Sequence, residues 1–270
     1  MAFPRGFDVD ASLGSVAARF ANQDAEELSA SATSLRLAGR IQTKREHGKT
    51  SFSDIGDGSA SIQLYVRKDD LGEELYDAWQ ALDIGDYVGV EGGLMRTRSG
   101  ELTVRIDSYA LLAKSLRSLP EKWHGLKDTE IRYRKRYLDL AVNEGVREIF
   151  RCRAKTLRAL RAHMDAHGFI EAETPIMQPQ YGGALARPFT THHNTLDIDL
   201  YLRIAPELYL KRLLVGGLER VYELNRNFRN EGLSTQHNPE FTMLEYNETY
   251  LDYLDYMNFT EEMLRDVVKE

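Results

Sequence analysis

The stretch Ser61-Ile62-Gln63-Leu64-Tyr65-Val66 alternates polar and apolar side chains. Successive side chains of a strand point to opposite faces, so this alternation predicts a strand with one face turned inward. The same pattern returns in Leu102-Thr103-Val104-Arg105-Ile106. Short runs of this kind, separated by glycines, predict five strands: LRLAGRIQT (35–43), KTSFSDIGD (49–57), ASIQLYVRK (60–68), DYVGVEGGLMRT (86–97) and ELTVRIDSYALL (101–112).

A helix-like segment, Leu71 to Leu82, follows the third of these strands. Five short strands with one inserted helix is the count expected of an OB-fold barrel, which commonly binds oligonucleotides on its open face. Periodicity alone also permits an SH3-like barrel. We assign residues 34–117 to the barrel. Residues 1–33 are acidic and rich in alanine and serine, and we interpret them as a loosely attached N-terminal arm.

The second half of the chain follows a different pattern, and 270 residues are enough for two domains. From Val146 to Gly168 the apolar residues recur at helical spacing, and Gly168 supplies a C-terminal stop. An extended segment and strand-like pieces alternating with short helices come next. We predict a linker at 118–140 and, at 141–270, an α+β domain with an antiparallel sheet.

Composition excludes several classes of protein. The net charge of −7 and the pI near 5.6 argue against a protein that coats nucleic acid by bulk electrostatics, so any RNA binding must be local. One basic run, residues 132–136, is interpreted equally well as a solvated linker or as an RNA-facing patch. No leader-like segment or long apolar run is present, which predicts a cytoplasmic protein without a membrane span. The single cysteine, Cys152, is predicted to be a reduced core residue.

Two segments of the second half carry charged and aromatic residues at offsets that core packing would not demand. The first is Gly168-Phe169-Ile170-Glu171-Ala172-Glu173-Thr174-Pro175, and the second is Phe228-Arg229-Asn230-Glu231 followed by His237-Asn238-Pro239-Glu240-Phe241. They resemble motif 1 and motif 2 of the class II aminoacyl-tRNA synthetases. The resemblance implies a helix–strand element at a homodimer interface and, for motif 2, two antiparallel strands joined by a loop.

Further segments are similar to lysyl-tRNA synthetases rather than to their aspartyl and asparaginyl relatives. These segments are His124-Gly125-Leu126, residues 134–140, Gly182-Gly183-Ala184, Arg187-Pro188-Phe189, residues 191–194 and residues 201–212. The resemblance runs from about Leu35 to the C-terminus. It implies ATP-dependent attachment of L-lysine to lysine tRNA through lysyl-adenylate, with the barrel as the anticodon-binding domain.

The resemblance also assigns an ATP site. It gives Arg229 the catalytic role, because a planar guanidinium can bridge the lysine carboxylate and the α-phosphate. Glu231 would accept a hydrogen bond from the adenine amino group, and Phe241 would stack on the adenine ring. His237 and Asn238 would line the triphosphate side of the motif 2 loop.

Lysine carries two cationic groups and one carboxylate, so its pocket needs acids at both ends of a long stem. By resemblance, Glu207 and the backbone of Gly183 hold the α-amino group, Arg229 meets the carboxylate and Glu245 meets the ε-ammonium group. A buried carboxylate left without a cation is costly, which makes Glu245 selective. Acids in the pocket argue against an aspartyl or asparaginyl enzyme.

In the barrel, the resemblance assigns the anticodon contacts to Arg40, Phe52, Gln63 and Glu101. Physically, Phe52 can stack an unpaired base, and the three polar side chains can bind the Watson–Crick edges of splayed bases.

The chain departs from the family pattern in three places. Gln236 stands where the family usually has arginine, and Asn247 stands where it usually has tyrosine. We interpret the adjacent Tyr246 as having exchanged roles with Asn247. Motif 3 is absent, and the resemblance implies that the Mg²⁺ ligands lie beyond this chain, so we predict no metal ligand within it. The last helix is expected to lack a sheet that covers its apolar face. These departures keep open an alternative, a non-catalytic tRNA-binding or regulatory paralogue.

Overall fold

The computed structural model describes residues 6–117, 119, 126–143 and 145–270. The chain divides into two compact units, Met1–Glu144 and Gly145–Glu270. The first unit contains strands β1 (Ser34–His47), β2 (Thr50–Gly56), β3 (Ser61–Arg67), β4 (Tyr87–Arg96) and β5 (Leu102–Ala113), and helices α1 (Leu13–Arg19), α2 (Ala25–Ser31), α3 (Lys68–Leu71), α4 (Glu73–Gln80), α5 (Thr129–Arg134) and α6 (Arg136–Val142). The second contains helices α7 (Val146–Ala166), α8 (Glu207–Val215) and α9 (Tyr253–Lys269), and strands β6 (Ile170–Glu171), β7 (Met177–Gln178), β8 (Thr190–His193), β9 (Ile198–Leu202), β10 (Arg220–Phe228) and β11 (Glu240–Glu248).

The five predicted strands of the first unit are confirmed, and they close a barrel in the order β1-β2-β3-β5-β4. Strands β3 and β5 run parallel, and the other neighbours run antiparallel. The predicted helix between the third and fourth strands is present as two pieces, α3 and α4. They are separated by Gly72, whose φ of +81° is accessible to glycine at little cost.

Inward-facing residues of the strands form the barrel core, among them Ile62, Leu64 and Val66 of β3. The N-terminal segment contributes to the same core. Leu13 of α1 is fully buried, and Leu28 of α2 is 1% exposed. The prediction of a loosely attached arm is therefore wrong for α1 and α2, because their apolar residues fall on one helical face that packs into the barrel.

Part of the predicted linker is helical. Asp139 of α6 is fully buried and accepts hydrogen bonds from Arg132, at 2.8 Å, and from Arg136. Burial alone would raise the pKa of Asp139, but hydrogen bonds from Asn143 and Arg132 hold it below its ordinary value. Two cations of the basic run are thus paired within the fold. His124 and Gly125, part of the segment similar to lysyl-tRNA synthetases, lie outside the described residues.

The second unit contains the predicted long helix, α7, which ends before Gly168 with a φ of +76°. Two three-stranded sheets follow, with the orders β11-β10-β6 and β7-β9-β8. The predicted antiparallel sheet is confirmed, with β6 as a short parallel addition to β10. The α+β class is therefore as predicted.

One face of β11 packs into the core of this unit. Leu244 and Tyr246 lie against Phe169 and against Phe259 of α9. Met263 of α9 is also buried in this cluster. The expectation that the last helix lacks a sheet over its apolar face is wrong for Phe259 and Met263, which pack into the cluster formed with β10 and β11, whereas Met257, Leu264 and Val268 of α9 stay exposed.

Cys152 is exposed, so its prediction as a core residue is also wrong. The C-terminal half of α7 buries His163 and Met164, whereas Ile149 in the N-terminal half is 67% exposed. Helical periodicity marks Cys152 as apolar-facing, but its side chain lies on the solvent side of this part of the helix. None of the described helices combines the length and apolar character needed to cross a bilayer.

Candidate functional site

The β10–β11 hairpin builds the centre of the site. In its register Asn227 lies opposite Phe241, and Glu223 lies opposite Glu245. Residues directly opposite each other in an antiparallel pair share a face of the sheet. Because Tyr246 points into the core on the other face, these four side chains lie on the face turned away from α7 and α9.

Arg229 leaves β10 at the start of the connecting loop and folds over the neighbouring strand. Its guanidinium carbon lies 5.1 Å from the centre of the Phe241 ring. Its backbone N–H donates to the carbonyl of Pro239 at 2.9 Å. Its Nε is buried and has no hydrogen-bond partner among the described residues. A buried donor without a partner costs free energy, so an acceptor such as a phosphate or carboxylate would be bound favourably here.

The motif 2 loop is open to solvent. Ser234 Oγ lies 2.9 Å from Nδ1 of His237, whose backbone N–H also donates to that hydroxyl at 3.1 Å. Glu231, His237 and Asn238 are all exposed. The structure therefore brings Arg229 into contact with Phe241. The other three predicted ATP-binding residues, Glu231, His237 and Asn238, lie on the open loop.

Gly183 and Glu207 are brought together from separate segments. Glu207 begins α8 and pairs with Lys211 one turn further on. Gly183 has a φ of +86°, and a Cβ placed there would lie 2.9 Å from the Glu207 Cβ. No side chain fits at this position, so the backbone of residue 183 approaches Glu207 closely.

Glu245 lies in a cluster of three carboxylates. Burial and the charges of Glu207 and Glu223 raise the pKa of Glu245, which is about 7 when all neighbouring charges are included. Lys211 and Arg203 act in the opposite direction. Lys211 pairs with Glu207 and Arg203 pairs with Glu223, so Glu245 is left without a cation of its own. The cluster is therefore suited to a positively charged ligand.

This raised pKa predicts a pH-dependent effect on stability. A folded-state pKa above the unfolded value means that stability falls as the pH rises through about 7. Glutamine stays neutral, so Glu245→Gln is expected to raise the thermal unfolding midpoint at about pH 8 and to change it little at about pH 4. Glu240→Gln, at an exposed carboxylate of the same strand, is the control. An equal effect of Glu245→Gln at both pH values would contradict the prediction.

The sequence did not reveal the pair formed by Arg203 and Glu223. Arg203 is fully buried, Glu223 is 1% exposed, and Nη1 of Arg203 lies 2.6 Å from Oε1 of Glu223. The available signal was a charged residue inside each of two apolar strand patterns, in Tyr201-Leu202-Arg203-Ile204 and in Val221-Tyr222-Glu223-Leu224. A charge at an inward strand position usually needs a buried partner.

Asn247 shares the face of Glu245, two residues along β11, and its Nδ2 is buried without a hydrogen-bond partner among the described residues. Tyr246 stacks on Tyr256 with ring centres 5.5 Å apart, and its hydroxyl lies 2.6 Å from that of Thr260. The interpretation that Asn247 and Tyr246 exchange roles is therefore wrong, because the strand turns them to opposite faces.

The predicted anticodon residues lie on the outer face of the barrel. Phe52 alternates with buried neighbours on β2, and Gln63 points to the same side of β3 but is itself only 6% exposed. The Phe52 ring centre is 4.9 Å from that of Tyr65, which the sequence analysis did not select. The Gln63 amide donates to Glu101 at 2.9 Å and accepts from the Thr103 hydroxyl at 3.0 Å. Two of the predicted polar residues are thus in direct contact.

Arg40 belongs to the same outer face, on β1. Its guanidinium carbon lies 4.7 Å from the centre of the Tyr87 ring, and its Nε is buried without a partner among the described residues. Stacking on Tyr87 holds the guanidinium flat against the barrel. The face therefore presents two aromatic rings, a cation and an amide–carboxylate pair.

Residues 128–270 match the family model described as tRNA synthetases class II (D, K and N). The chain belongs to the class II tRNA synthetases. Residues 35–112 match an OB-fold nucleic acid binding domain, which decides between the OB-fold and the SH3-like barrel in favour of the former. Within the class II synthetases, the letters of the family name cover aspartate, lysine and asparagine.

The similar class II relatives are lysine–tRNA ligases. The chain is 61% identical to that of Pelotomaculum thermopropionicum over 87% of this chain and 46% of the relative. It is 54% identical to that of Thioalkalivibrio sulfidiphilus over 100% of this chain and 54% of the relative. The ligase of Xanthomonas axonopodis pv. citri is 55% identical over the same shares. The chain thus spans about half the length of the curated relatives it matches.

Proposed function

We propose that this chain supplies the anticodon-binding domain and the first part of the catalytic domain of a lysine–tRNA ligase. The carboxylate cluster around Glu245 is the observation that carries the proposal. Glu245, within β11, lacks a cation of its own, while Arg229, beside the start of β11, has a buried donor without a partner. A ligand with an ammonium group at one end and a carboxylate or phosphate at the other satisfies both requirements.

In the proposed reaction, the lysine carboxylate attacks the α-phosphorus of ATP, and pyrophosphate leaves as the new phosphorus–oxygen bond forms. A hydroxyl of the tRNA terminus then attacks the lysyl carbonyl, and AMP leaves. Arg229 would stabilise the charge that develops on the α-phosphate, and Phe241 would stack on the adenine. Glu231, His237 and Asn238 would contact the nucleotide from the open loop.

Lysine would lie along the face of β11. Glu207 and the Gly183 backbone would hold its α-amino group, and Glu245 would pair with the ε-ammonium group. Mg²⁺ would shield the phosphate charge, but among the described residues no group of three or more His, Cys, Asp or Glu side chains is arranged to hold a metal ion. As the family resemblance implies, we propose that its ligands lie outside this chain, and we assign it no step.

The outer face of the barrel would bind the anticodon of lysine tRNA. Phe52 would stack an unpaired base, and Arg40, Gln63 and Glu101 would bind base edges. The contact between Gln63 and Glu101 supports this assignment, because it leaves one amide proton and one carboxylate oxygen for a base.

Phe52→Ala is expected to weaken binding of lysine tRNA by about 1–3 kcal/mol, because a stacked base loses its aromatic partner. The measurement is tRNA affinity by fluorescence titration at fixed salt. Phe52→Leu is the matched variant: it keeps an apolar side chain but lacks a ring, so it should lose most of the same free energy. Affinity unchanged by Phe52→Ala would refute the stacking role.

We also propose a cytoplasmic homodimer formed through the motif 1 region. The N-terminal half of α7 exposes Ile149, and Ile170 on β6 is 51% exposed. Apolar side chains at such positions commonly mark a protein interface.

A second candidate is a non-catalytic tRNA-binding or regulatory paralogue. Gln236 and Asn247 favour it, because the first removes a cation near the terminal phosphate and the second removes an aromatic ring from the lysine pocket. Lysine-dependent ATP–pyrophosphate exchange, with tRNA binding measured in parallel, separates the two. Exchange above background supports the ligase; binding of lysine tRNA with neither exchange nor lysine binding supports the paralogue.

A further inference from the structure

Arg203 and Glu223 form an ion pair that is almost completely shielded from water. The side chains of Arg203 and Glu223 are 0% and 1% exposed, and Nη1 of Arg203 lies 2.6 Å from Oε1 of Glu223. Transfer of two charges out of water is costly, and a buried pair often adds little to stability compared with apolar residues of the same size. The pair therefore calls for a role beyond stabilising the fold.

Arg203 connects three separate segments of the second unit. Its Nε donates to the carbonyl of Arg226 on β10 at 2.9 Å. Its Nη1 donates to the hydroxyl and the carbonyl of Thr174, at the end of motif 1, at 3.0 and 3.2 Å. The Thr174 hydroxyl donates in turn to Glu223 at 2.6 Å. One guanidinium thus holds the loop after β9 against both motif 1 and β10.

These segments carry the residues of the proposed pocket. Glu207 begins α8 four residues after Arg203 along the chain. Glu223 lies directly across the strands from Glu245. The backbone N–H of Phe228, next to Arg229, donates to the Arg203 carbonyl at 2.9 Å. A shift of Arg203 would therefore displace both ends of the pocket.

We propose that Arg203 and Glu223 are positioning residues that hold the lysine-binding carboxylates in place and balance their negative charge. The inference rests on the proposed function, because it concerns the same pocket. Neither residue needs to touch the ligand. Arg203 would fix the positions of Glu207 and Glu245 relative to each other. Glu223 would limit how strongly Arg203 attracts Glu245 before lysine binds.

Four charged groups on the elements around Glu245 act on it. Glu207 and Lys211 lie on α8, Glu223 lies on β10, and Arg203 follows β9. Lys211 is 58% exposed, so solvent weakens its influence, whereas Arg203 is buried and still has Nη2 without a partner among the described residues. Arg203 is therefore the cation most able to attract Glu245 once Glu223 is neutral.

Glu223→Gln tests the charge balance with little change in shape. It leaves the positive charge of Arg203 unopposed, so the titration midpoint of Glu245 should fall by about one pH unit. The readout is carbon-13 NMR of glutamate carboxyl groups, with the Glu245 resonance assigned from its loss in Glu245→Gln. A role limited to packing would change the stability of the chain but not this midpoint.

Two double variants keep the test decisive if Glu223→Gln fails to fold. Arg203→Lys with Glu223→Gln retains the cation, and Arg203→Gln with Glu223→Gln removes both charges. The midpoint of Glu245 should be about one pH unit lower in the first than in the second. Equal midpoints would overturn the proposal, as would an unchanged midpoint in a folded Glu223→Gln chain.

Lysine affinity, measured by calorimetry, supplies the second readout. Arg203→Lys keeps the charge but loses the planar fork that binds Thr174 and Glu223 together. Arg203→Lys should therefore leave the titration midpoint of Glu245 near that of the unsubstituted chain. It should weaken lysine binding about tenfold or more. Unaltered affinity would overturn the positioning role. Absence of lysine binding by the unsubstituted chain would instead count against the proposed function, and the Glu245 titration would still test the charge balance.

Discussion

Arg229→Ala is expected to lower lysine-dependent ATP–pyrophosphate exchange by on the order of 100- to 1000-fold, the usual cost of removing one charge-stabilising donor from a transition state. The guanidinium of Arg229 lies over Phe241 and keeps a buried donor without a partner, so it is ready to bind an acceptor. No other described side chain makes this contact with the Phe241 ring. Affinity for tRNA should change little, because the anticodon face belongs to the other unit.

The matched control is Arg226→Ala, which removes an arginine three residues earlier, on β10. Arg226 is about half exposed, and its side chain lies 3.6 Å from Glu240. Its loss should leave the exchange rate within a few-fold of the unsubstituted protein. ATP affinity should also be measured, because it tests the role of Arg229 even if the protein does not catalyse the exchange reaction. Normal exchange in Arg229→Ala would remove this residue from the proposed mechanism.

Glu245→Gln is expected to weaken lysine binding by about 2–5 kcal/mol, the typical cost of truncating one partner of a buried charge pair. The substitution keeps the size of the side chain and removes only the charge that would meet the ε-ammonium group. Binding of norleucine, which has the same carbon chain as lysine but no side-chain ammonium group, should change much less. The measurement is calorimetric titration with both amino acids. The ratio of the affinity for lysine to the affinity for norleucine should fall in Glu245→Gln.

Glu240→Gln again provides the control, at an exposed carboxylate on the same strand. The lysine affinity of the unsubstituted chain should also rise with pH through about 7, because the raised pKa leaves Glu245 partly protonated below that value. Lysine binding that is equally strong in Glu245→Gln would place the ammonium group elsewhere.

Strand patterns predicted the barrel and the hairpin correctly because alternation is a local property. Gln63, Phe52 and their buried neighbours could be assigned to opposite faces from spacing alone. The same rule, applied to β11, separates Glu245 from Tyr246, and the expected exchange between Tyr246 and Asn247 failed because it ignored this separation. Local periodicity therefore fixes which face a residue occupies, provided that the strand is regular.

Contacts between distant segments could not be predicted from spacing. The Arg203–Glu223 pair joins two strand patterns that look apolar individually, and only the folded sheets bring the charges together. Leu13 lies in the segment interpreted as a loosely attached arm, and its burial depends on the barrel that it packs into. Cys152 was predicted to be buried because its helix has an apolar pattern, but its side chain lies on the solvent side of the helix.

The regularity of β11 has a consequence for substrate length. Phe241 and Glu245 are four residues apart on one face of an extended strand, so their Cα atoms are about 13 Å apart. On the proposed assignment, this spacing separates the adenine ring from the ammonium group of the amino acid. Ornithine carries the same charges as lysine but is one methylene shorter, so with the adenine stacked on Phe241 its ammonium group would lie farther from Glu245. The strand would then discriminate between diamino acids by their length, independently of the charge selection made by the carboxylates.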